Sequence, residues 1–127
     1  HLGRLVALHQ EILALAGRDA ARHPHDQALD RACRRLANEP QVPLAVLARE
    51  CGLSYERFRK LFRERLGVSP HEYRIRRRID QACMALRSDE RPVQAIAADL
   101  GYANPFQFSA QFKQVTGLSP AAYRRRG

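Results

Sequence analysis

The sequence predicts an all-α fold of about seven helices, and three observations indicate it. Apolar residues recur three and four positions apart along most of the chain, which is the spacing of one buried helix face. Serine, asparagine, proline and glycine separate these stretches in the way that helix caps do. Finally, one segment occurs twice, at 43–74 and again at 92–124.

The predicted elements begin with a helix over 2–17, which His9 interrupts on its apolar side. A polar linker, 17–26, follows, and an amphipathic helix over 26–39 then covers the first repeat. Because helix 2–17 has little to pack on in a small domain, we expect residues 1–25 to stand apart from a domain formed by 26–127. The chain starts at His1 rather than Met, which we interpret as a piece of a longer protein.

Each repeat predicts two helices around a sharp turn. Most matched positions lie 49 residues apart before the turn and 50 after it, because the second copy has one extra turn residue. In both copies an alanine is followed four residues later by a glycine and then by two phenylalanines. This is helix-turn-helix spacing, since the alanine permits a close helix crossing and the glycine a positive φ. The residues concerned are Ala48, Gly52, Phe58 and Phe62, then Ala97, Gly101, Phe108 and Phe112.

The repeats therefore predict helix-turn-helix units at 43–66 and 92–116, with second helices over 54–66 and 104–116. Ser54 and Asn104 are the expected N-caps of these second helices, and Pro105 the first helical residue of the later one. Between the units, 70–88 predicts a connecting helix of about 17 residues, or roughly 25 Å. Its predicted buried face consists of Ile75, Ile79, Ala82, Cys83 and Leu86.

Composition narrows the class of partner. The chain has 22 lysines and arginines against 13 acidic residues, for a formal net charge of +9. That balance favours a polyanion, with nucleic acid first and an anionic membrane surface second. No apolar run approaches membrane-spanning length, and we expect no membrane partner. The 3 dispersed cysteines argue against a disulfide framework, so we expect a reduced, cytoplasmic protein with core cysteines.

The outward face of helix 54–66 predicts contacts with DNA bases. A charged stripe lies opposite the core side, at i, i+3, i+4 and i+7: Glu56, Arg59, Lys60 and Arg63. Arginine and lysine pair with guanine, and glutamate accepts from the cytosine amino group. A solvated, salt-bridged helix face is the alternative, and the helix-turn-helix context favours DNA.

The second unit carries different residues at the matching positions, namely Phe106, Ser109, Ala110 and Lys113. Phe106 is two residues from Phe108, about 200° around the helix, so the two side chains cannot share the core face. We expect Phe106 and Ala110 to contact thymine methyl groups. Ser109 and Lys113 would then reach a base edge or a phosphate.

Phosphate contacts are expected from helix N-termini and from scattered basic side chains. The candidates are Ser54, Asn104, Gln107, Lys113, Arg76 and Arg77, followed by Arg78 and Arg124 to Arg126. For the arginines, plain solvated charge is an equally good interpretation.

Three other classes of function compete with specific DNA binding. A non-specific nucleic-acid-binding or architectural protein would not need two capped turns or a stripe of mixed charge. An enzyme is disfavoured, because no glycine-rich phosphate loop, catalytic carboxylate pair or metal-ligand spacing occurs, and we expect no cofactor or metal. A pure protein-interaction module leaves the net charge unexplained, although helix 2–17 could serve that role in addition.

Residues from about 30 to 126 resemble the DNA-binding domain of AraC/XylS-type bacterial transcription regulators. The most specific part is "RIDQACMALRSDERPVQAIAADLGYANPFQFSAQFKQVTGLSPAAYR", and "ARECGLS" at 48–54 is similar to the first unit of that family. The resemblance implies seven helices and two recognition helices in adjacent major-groove segments of double-stranded DNA. By position, it implies base contacts at Glu56, Arg59, Lys60, Phe106, Ser109 and Ala110.

The resemblance also implies partners beyond DNA. Members commonly carry an N-terminal domain for effector binding or dimerisation, which would place the end of such a domain at residues 1–25. A small-molecule effector, dimerisation and contact of an activator with RNA polymerase follow as expectations, with repression left open. Ala110 departs from the family, since Arg or another polar residue is expected in its place. We therefore expect the second unit to contribute little hydrogen-bonded readout.

Overall fold

The computed structural model of the protein describes residues 23–126, and within that range the chain forms seven helices and no strand. The helices are α1 Asp26–Asn38, α2 Leu44–Glu50, α3 Tyr55–Leu66, α4 Pro70–Ser88, α5 Val93–Asp99, α6 Pro105–Thr116 and α7 Pro120–Arg126. The all-α prediction is confirmed. The predicted helix 2–17 and most of the predicted linker lie outside the described residues.

Two hydrophobic cores follow one another along the described chain, and they share no residue. The first contains residues of α1, α2, α3 and the start of α4, and its fully buried side chains include Leu29, Leu36, Leu47, Phe58, Phe62 and Leu66. The second contains residues of the rest of α4 with α5 and α6, and includes Ile79, Leu86, Ile96, Phe108 and Phe112. Helix α4 serves both units, with Tyr73 in the first core and Ile79 in the second.

The duplicated unit is larger than the repeat visible in the sequence motifs. Helix α1 matches the second half of α4 at an offset of 50, where Leu29, Ala32, Cys33 and Leu36 correspond to Ile79, Ala82, Cys83 and Leu86. All eight of these side chains are buried. Tyr73 packs edge-on against Phe62 at 5.6 Å between ring centroids, and Tyr123 packs against Phe112 at 5.5 Å. Each unit therefore consists of a leading helix, a helix-turn-helix pair and a closing tyrosine.

The turns within the units have the predicted geometry. Gly52 has a φ of 73° and Gly101 a φ of 90°, in the left-handed region that glycine adopts without strain. In each unit a backbone N–H beyond the glycine bonds to the carbonyl of the predicted crossing alanine, from Leu53 to Ala48 and from Tyr102 to Ala97. These bonds hold the two helices of each pair at a sharp angle.

The connecting helix differs slightly from its prediction. Helix α4 has 19 residues rather than about 17, which corresponds to about 28 Å of axis. Four of the five residues predicted on its apolar face are buried, while Ile75 is half-buried and packs against the second core. None of the helices that the structure describes combines the length and apolar character that a membrane span requires.

Candidate nucleic-acid interface

The outward face of α3 carries the four charged side chains that the sequence predicted. Glu56, Arg59, Lys60 and Arg63 are all exposed, while Phe58 and Phe62 on the opposite side are fully buried. Within the stripe, Lys60 Nζ lies 3.8 Å from a Glu56 carboxylate oxygen. Both side chains are about 70% exposed (69% and 74%), so this ion pair is weak and opens readily for another partner.

The outward face of α6 is apolar at its beginning. The Phe106 side chain is 83% exposed, whereas Phe108 and Phe112 are completely buried. Ala110 and Lys113 are exposed beside it, and Ser109 is half-buried. The prediction that Phe106 lies away from the core is confirmed. A large apolar side chain that is this exposed marks a binding surface, because covering it with a partner removes apolar area from water and is favourable.

Helices α3 and α6 both begin with the predicted side-chain caps. Ser54 Oγ accepts the Arg57 backbone N–H at 3.2 Å, and Asn104 Oδ1 accepts the Gln107 N–H at 2.8 Å. Each cap uses one of the N–H groups that a helix start leaves without an internal partner. The remaining N–H groups and the positive end of the helix dipole favour an anion at that point, such as a DNA phosphate.

The arginine candidates for phosphate contacts separate into two groups. Arg76 is half-buried and forms an ion pair with Glu72 at 3.5 Å, and Arg77 is half-buried. Arg78 instead donates to the Pro40 carbonyl, and Arg124 donates to the carbonyls of Leu86 and Asp89. Arg78 and Arg124 thus bind backbone carbonyls of the fold, and their contact with phosphate stays a prediction. Arg125 and Arg126 are exposed.

The cysteines and histidines offer no sign of a reactive or metal site in the part of the chain that the structure describes. Burial raises the pKa of all three thiols, that of Cys33 to about 12, so none is ionised near neutral pH. His23 Nδ1 accepts the His25 N–H at 3.1 Å, which makes this pair part of a local turn. No group of three potential metal ligands occurs in residues 23–126.

Two contacts that the sequence did not predict fasten α3 and α6. Arg65, near the end of α3, makes a two-pronged ion pair with Asp26 at 2.9 and 3.0 Å. Burial raises the pKa of Asp26, but hydrogen bonds from Arg65 and the His23 N–H outweigh that effect and lower it overall. In the second unit, the Tyr102 hydroxyl donates to Gln111 of α6. In the sequence, Asp26 stands out as an acidic residue at a helix start, but nothing near it identifies Arg65 as its partner.

Comparison with known proteins shows which family the chain is similar to. A family model described as a helix-turn-helix domain matches residues 47–126. The regulatory protein SoxS of Salmonella typhimurium is 36% identical over 81 residues, which cover 64% of this chain and 76% of SoxS. The arabinose operon regulatory protein of Escherichia coli is 31% identical over 104 residues, covering 80% of this chain and 36% of that protein. The chain spans about a third of the length of this and similar curated relatives (35–37%).

Solved structures give the same result. The C-terminal domain of AraT, a response regulator from Geobacillus stearothermophilus, superposes with a TM-score of 0.76 at 26% identity, covering 83% of this chain and 89% of that one. The DNA-binding domain of AdpA, solved in complex with a target DNA, gives 0.70 at 28% identity, covering 83% and 93%. The match to the family model begins within α2 and includes α3 to α7. The chain therefore belongs to the AraC-type helix-turn-helix family.

Proposed function

We propose that this chain is the sequence-specific DNA-binding part of a transcription regulator. Helices α3 and α6 would enter adjacent major-groove segments of double-stranded DNA. The observation that carries the proposal is the duplicated, capped recognition helix, which in both copies buries a phenylalanine pair and leaves the opposite face open. The relatives' names support it, since they describe regulatory proteins of operons and a DNA complex.

In the first unit, the proposal assigns hydrogen-bonded readout to Glu56, Arg59, Lys60 and Arg63. Their side chains are exposed and long enough to reach base edges, and arginine pairs with two acceptors of guanine at once. A bidentate contact of this kind discriminates against a wrong base by about 1–3 kcal/mol. The first unit would thus read mainly guanine and cytosine.

In the second unit, the proposal assigns apolar readout to Phe106 and Ala110. A thymine methyl group projects into the major groove, and covering it together with part of the exposed Phe106 ring removes apolar surface from water. Ser109 and Lys113 would add a contact to a base edge or a phosphate. Ser54, Asn104 and Gln107 would bring phosphates to the two helix starts, with Arg76 and Arg77 as further phosphate ligands.

The length of α4 adds a geometric element to the proposal. Successive major-groove segments on one side of straight DNA lie about 34 Å apart, while α4 measures about 28 Å. If α4 holds the centres of α3 and α6 closer than 34 Å, either the DNA bends toward the protein, or one of the two helices inserts less deeply than the other. Comparing the gel mobility of DNA fragments with the site at the centre and at the end separates these two arrangements.

Further partners belong to the proposal as well. We infer a dimerisation or effector-binding domain joined through residues 1–25, a small-molecule effector, contact with RNA polymerase and a cytoplasmic location. The short share of the relatives' length that the chain spans supports a larger parent protein.

Selection of bound sequences from random DNA tests the proposed function. We expect a site with two unlike halves, bound at least about a thousandfold more tightly than unrelated DNA. A non-specific or architectural binder would instead give a ratio near one. If roughly six phosphates are neutralised, affinity should fall with a log–log salt slope of about −5.

A further inference from the structure

A line of polar side chains on α4 fastens the end of α1 and the loop that follows it, residues 37–42, which we call the junction segment. Arg74, Arg78 and Gln81 lie on one side of α4, four and three residues apart. Each donates to a backbone carbonyl of the junction segment: Arg74 to Val42, Arg78 to Pro40 and Gln81 to Ala37. The Gln81 bond measures 2.6 Å, and Arg78 donates through Nε and Nη2 at 3.1 and 2.6 Å. These bonds hold α4 to the first unit.

Arg78 contacts the second unit as well. The carbon at the centre of its guanidinium group lies 5.2 Å from the centre of the Tyr102 ring. A cation over an aromatic ring at this distance is attracted by the negative face of the ring. Because the Pro40 carbonyl belongs to the first unit and Tyr102 to the turn of the second, Arg78 joins two units whose cores share no residue.

Tyr102 continues the connection into the second recognition helix. Its ring packs edge-on against Phe108 with 5.1 Å between centroids, and its hydroxyl donates to Gln111. Phe108 and Gln111 both belong to α6. A direct series of contacts thus runs from the junction segment through Arg78 and Tyr102 to the helix that presents Phe106. At the matching position, the first unit has Leu53, which offers no ring face and no hydroxyl.

A second contact brings the junction segment against the turn of the second unit. A Cβ placed on Gly101 would overlap the Gln41 side chain, whereas one placed on Gly52 would meet nothing within 4 Å. The turn of the second unit therefore approaches the first unit closely, beside Arg78. The matching turn of the first unit is open on that side.

We propose that Arg78 is a positioning residue that fixes the orientation of the second recognition helix relative to the first. It thereby sets the spacing between the two DNA segments that can be read together. This inference rests on the proposed function. Two linked binding units gain affinity over each alone only when their geometry allows both to engage at once. A rigid junction confines that gain to one spacing, and a loosened junction spreads it over several.

Residual dipolar couplings of the free chain test the junction without DNA. In the wild-type protein one alignment tensor should fit the backbone couplings of both units. In Arg78→Ala, each unit should still fit by itself, but the two tensors should differ in magnitude or orientation. Arg34→Ala removes an exposed arginine whose ion-pair partner within residues 23–126 is Asp30; it is the matched control and should behave as the wild type. Tyr102→Leu installs the first unit's residue and replaces Arg78→Ala if that variant does not fold.

Binding to spaced sites then tests the consequence for recognition. On the selected site, inserting one or two base pairs between the halves should weaken wild-type binding by about a hundredfold, because simultaneous engagement is lost. In Arg78→Ala the same insertion should cost less than about tenfold, since the units can adjust. The positioning role would be overturned if one tensor fitted both units in Arg78→Ala and in Tyr102→Leu. It would also be overturned if the inserted base pairs weakened binding by the same factor as in the wild type. If the wild type selects no sequence, the proposed function fails, and the couplings alone decide on Arg78.

Discussion

The two recognition helices share a scaffold and differ in the surface they offer. Helices α3 and α6 both have 12 residues, a side-chain cap, a fully buried phenylalanine pair and a left-handed glycine at the end. Yet α3 carries five basic and two acidic side chains, while Lys113 is the one charged residue of α6. A small set of cap, turn and core positions therefore specifies the fold. The outward positions differ between the two units and give each exposed face its own chemistry.

The units also differ in how the recognition helix is fastened. The first unit uses the ion pair of Arg65 with Asp26, whose side chains are 16% and 14% exposed. The matching positions in the second unit are Val115 and Arg76, so no such pair can form there. The second unit uses Tyr102 instead, which contacts α6 and Arg78 of α4. Contacts with both units thus position α6, whereas contacts within the first unit position α3.

Arg59→Ala should have the largest effect on this comparison. Removing a bidentate contact to guanine should weaken binding to the selected site by about 10- to 100-fold. The loss should vanish on sites in which that guanine is replaced. Arg31→Ala, an exposed arginine of α1, is the control for charge alone. If both variants lose equal affinity on all sites, α3 provides only general attraction.

Phe106→Ala should weaken binding by about tenfold, from roughly 60 Å² of apolar contact at about 25 cal/mol per Å². The unfolding free energy should stay unchanged, since the side chain is 83% exposed in the free protein. Met84→Ala removes another exposed apolar side chain, on α4, and should leave DNA binding intact. A loss of stability in Phe106→Ala, measured by urea unfolding, would mean that the residue supports the core.

Gly101→Ala and Gly52→Ala sharpen the contrast between the two turns. Both place a Cβ at positive φ, which costs about 1–2 kcal/mol. Gly101→Ala should cost about 1 kcal/mol more, because the new methyl group displaces Gln41. Adding Gln41→Ala should remove that excess in the second turn and change nothing in Gly52→Ala. If the two glycine variants lose equal stability, the Gln41 side chain moves aside without a cost in free energy.

Asp26→Asn tests the fastening of the first unit, with an expected loss of about 1 kcal/mol near neutral pH. The folded-state pKa of Asp26 is lowered overall, so its contribution is present above the ordinary carboxylate pKa of about 3.9. It disappears as pH falls through the lower folded value. The two proteins should therefore differ in stability from pH 5 to 8 and converge in acid. A difference that persists in acid would assign the loss to packing instead.

Helical spacing and caps predicted most of the fold, because a core phenylalanine pair, a capping residue and a turn glycine are local signals. Phe106 could likewise be placed outward, since 200° of rotation separates it from Phe108. The Asp26–Arg65 pair joins residues 39 positions apart, and no local pattern reveals it. Arg78 is a second residue whose partner the sequence could not reveal. Its charge suggested a phosphate ligand, but the half-buried Pro40 carbonyl accepts hydrogen bonds from it.

Replacing thymine by deoxyuridine in each half of the selected site measures the central claim most directly, because only the 5-methyl group is removed. The wild type should lose several-fold affinity when the half bound by α6 is changed, and nothing when the half bound by α3 is changed. In Phe106→Ala the loss in the half bound by α6 should shrink to the small share that Ala110 contributes. A wild-type loss that is equal in both halves, or one that stays undiminished in Phe106→Ala, would contradict an apolar readout led by Phe106.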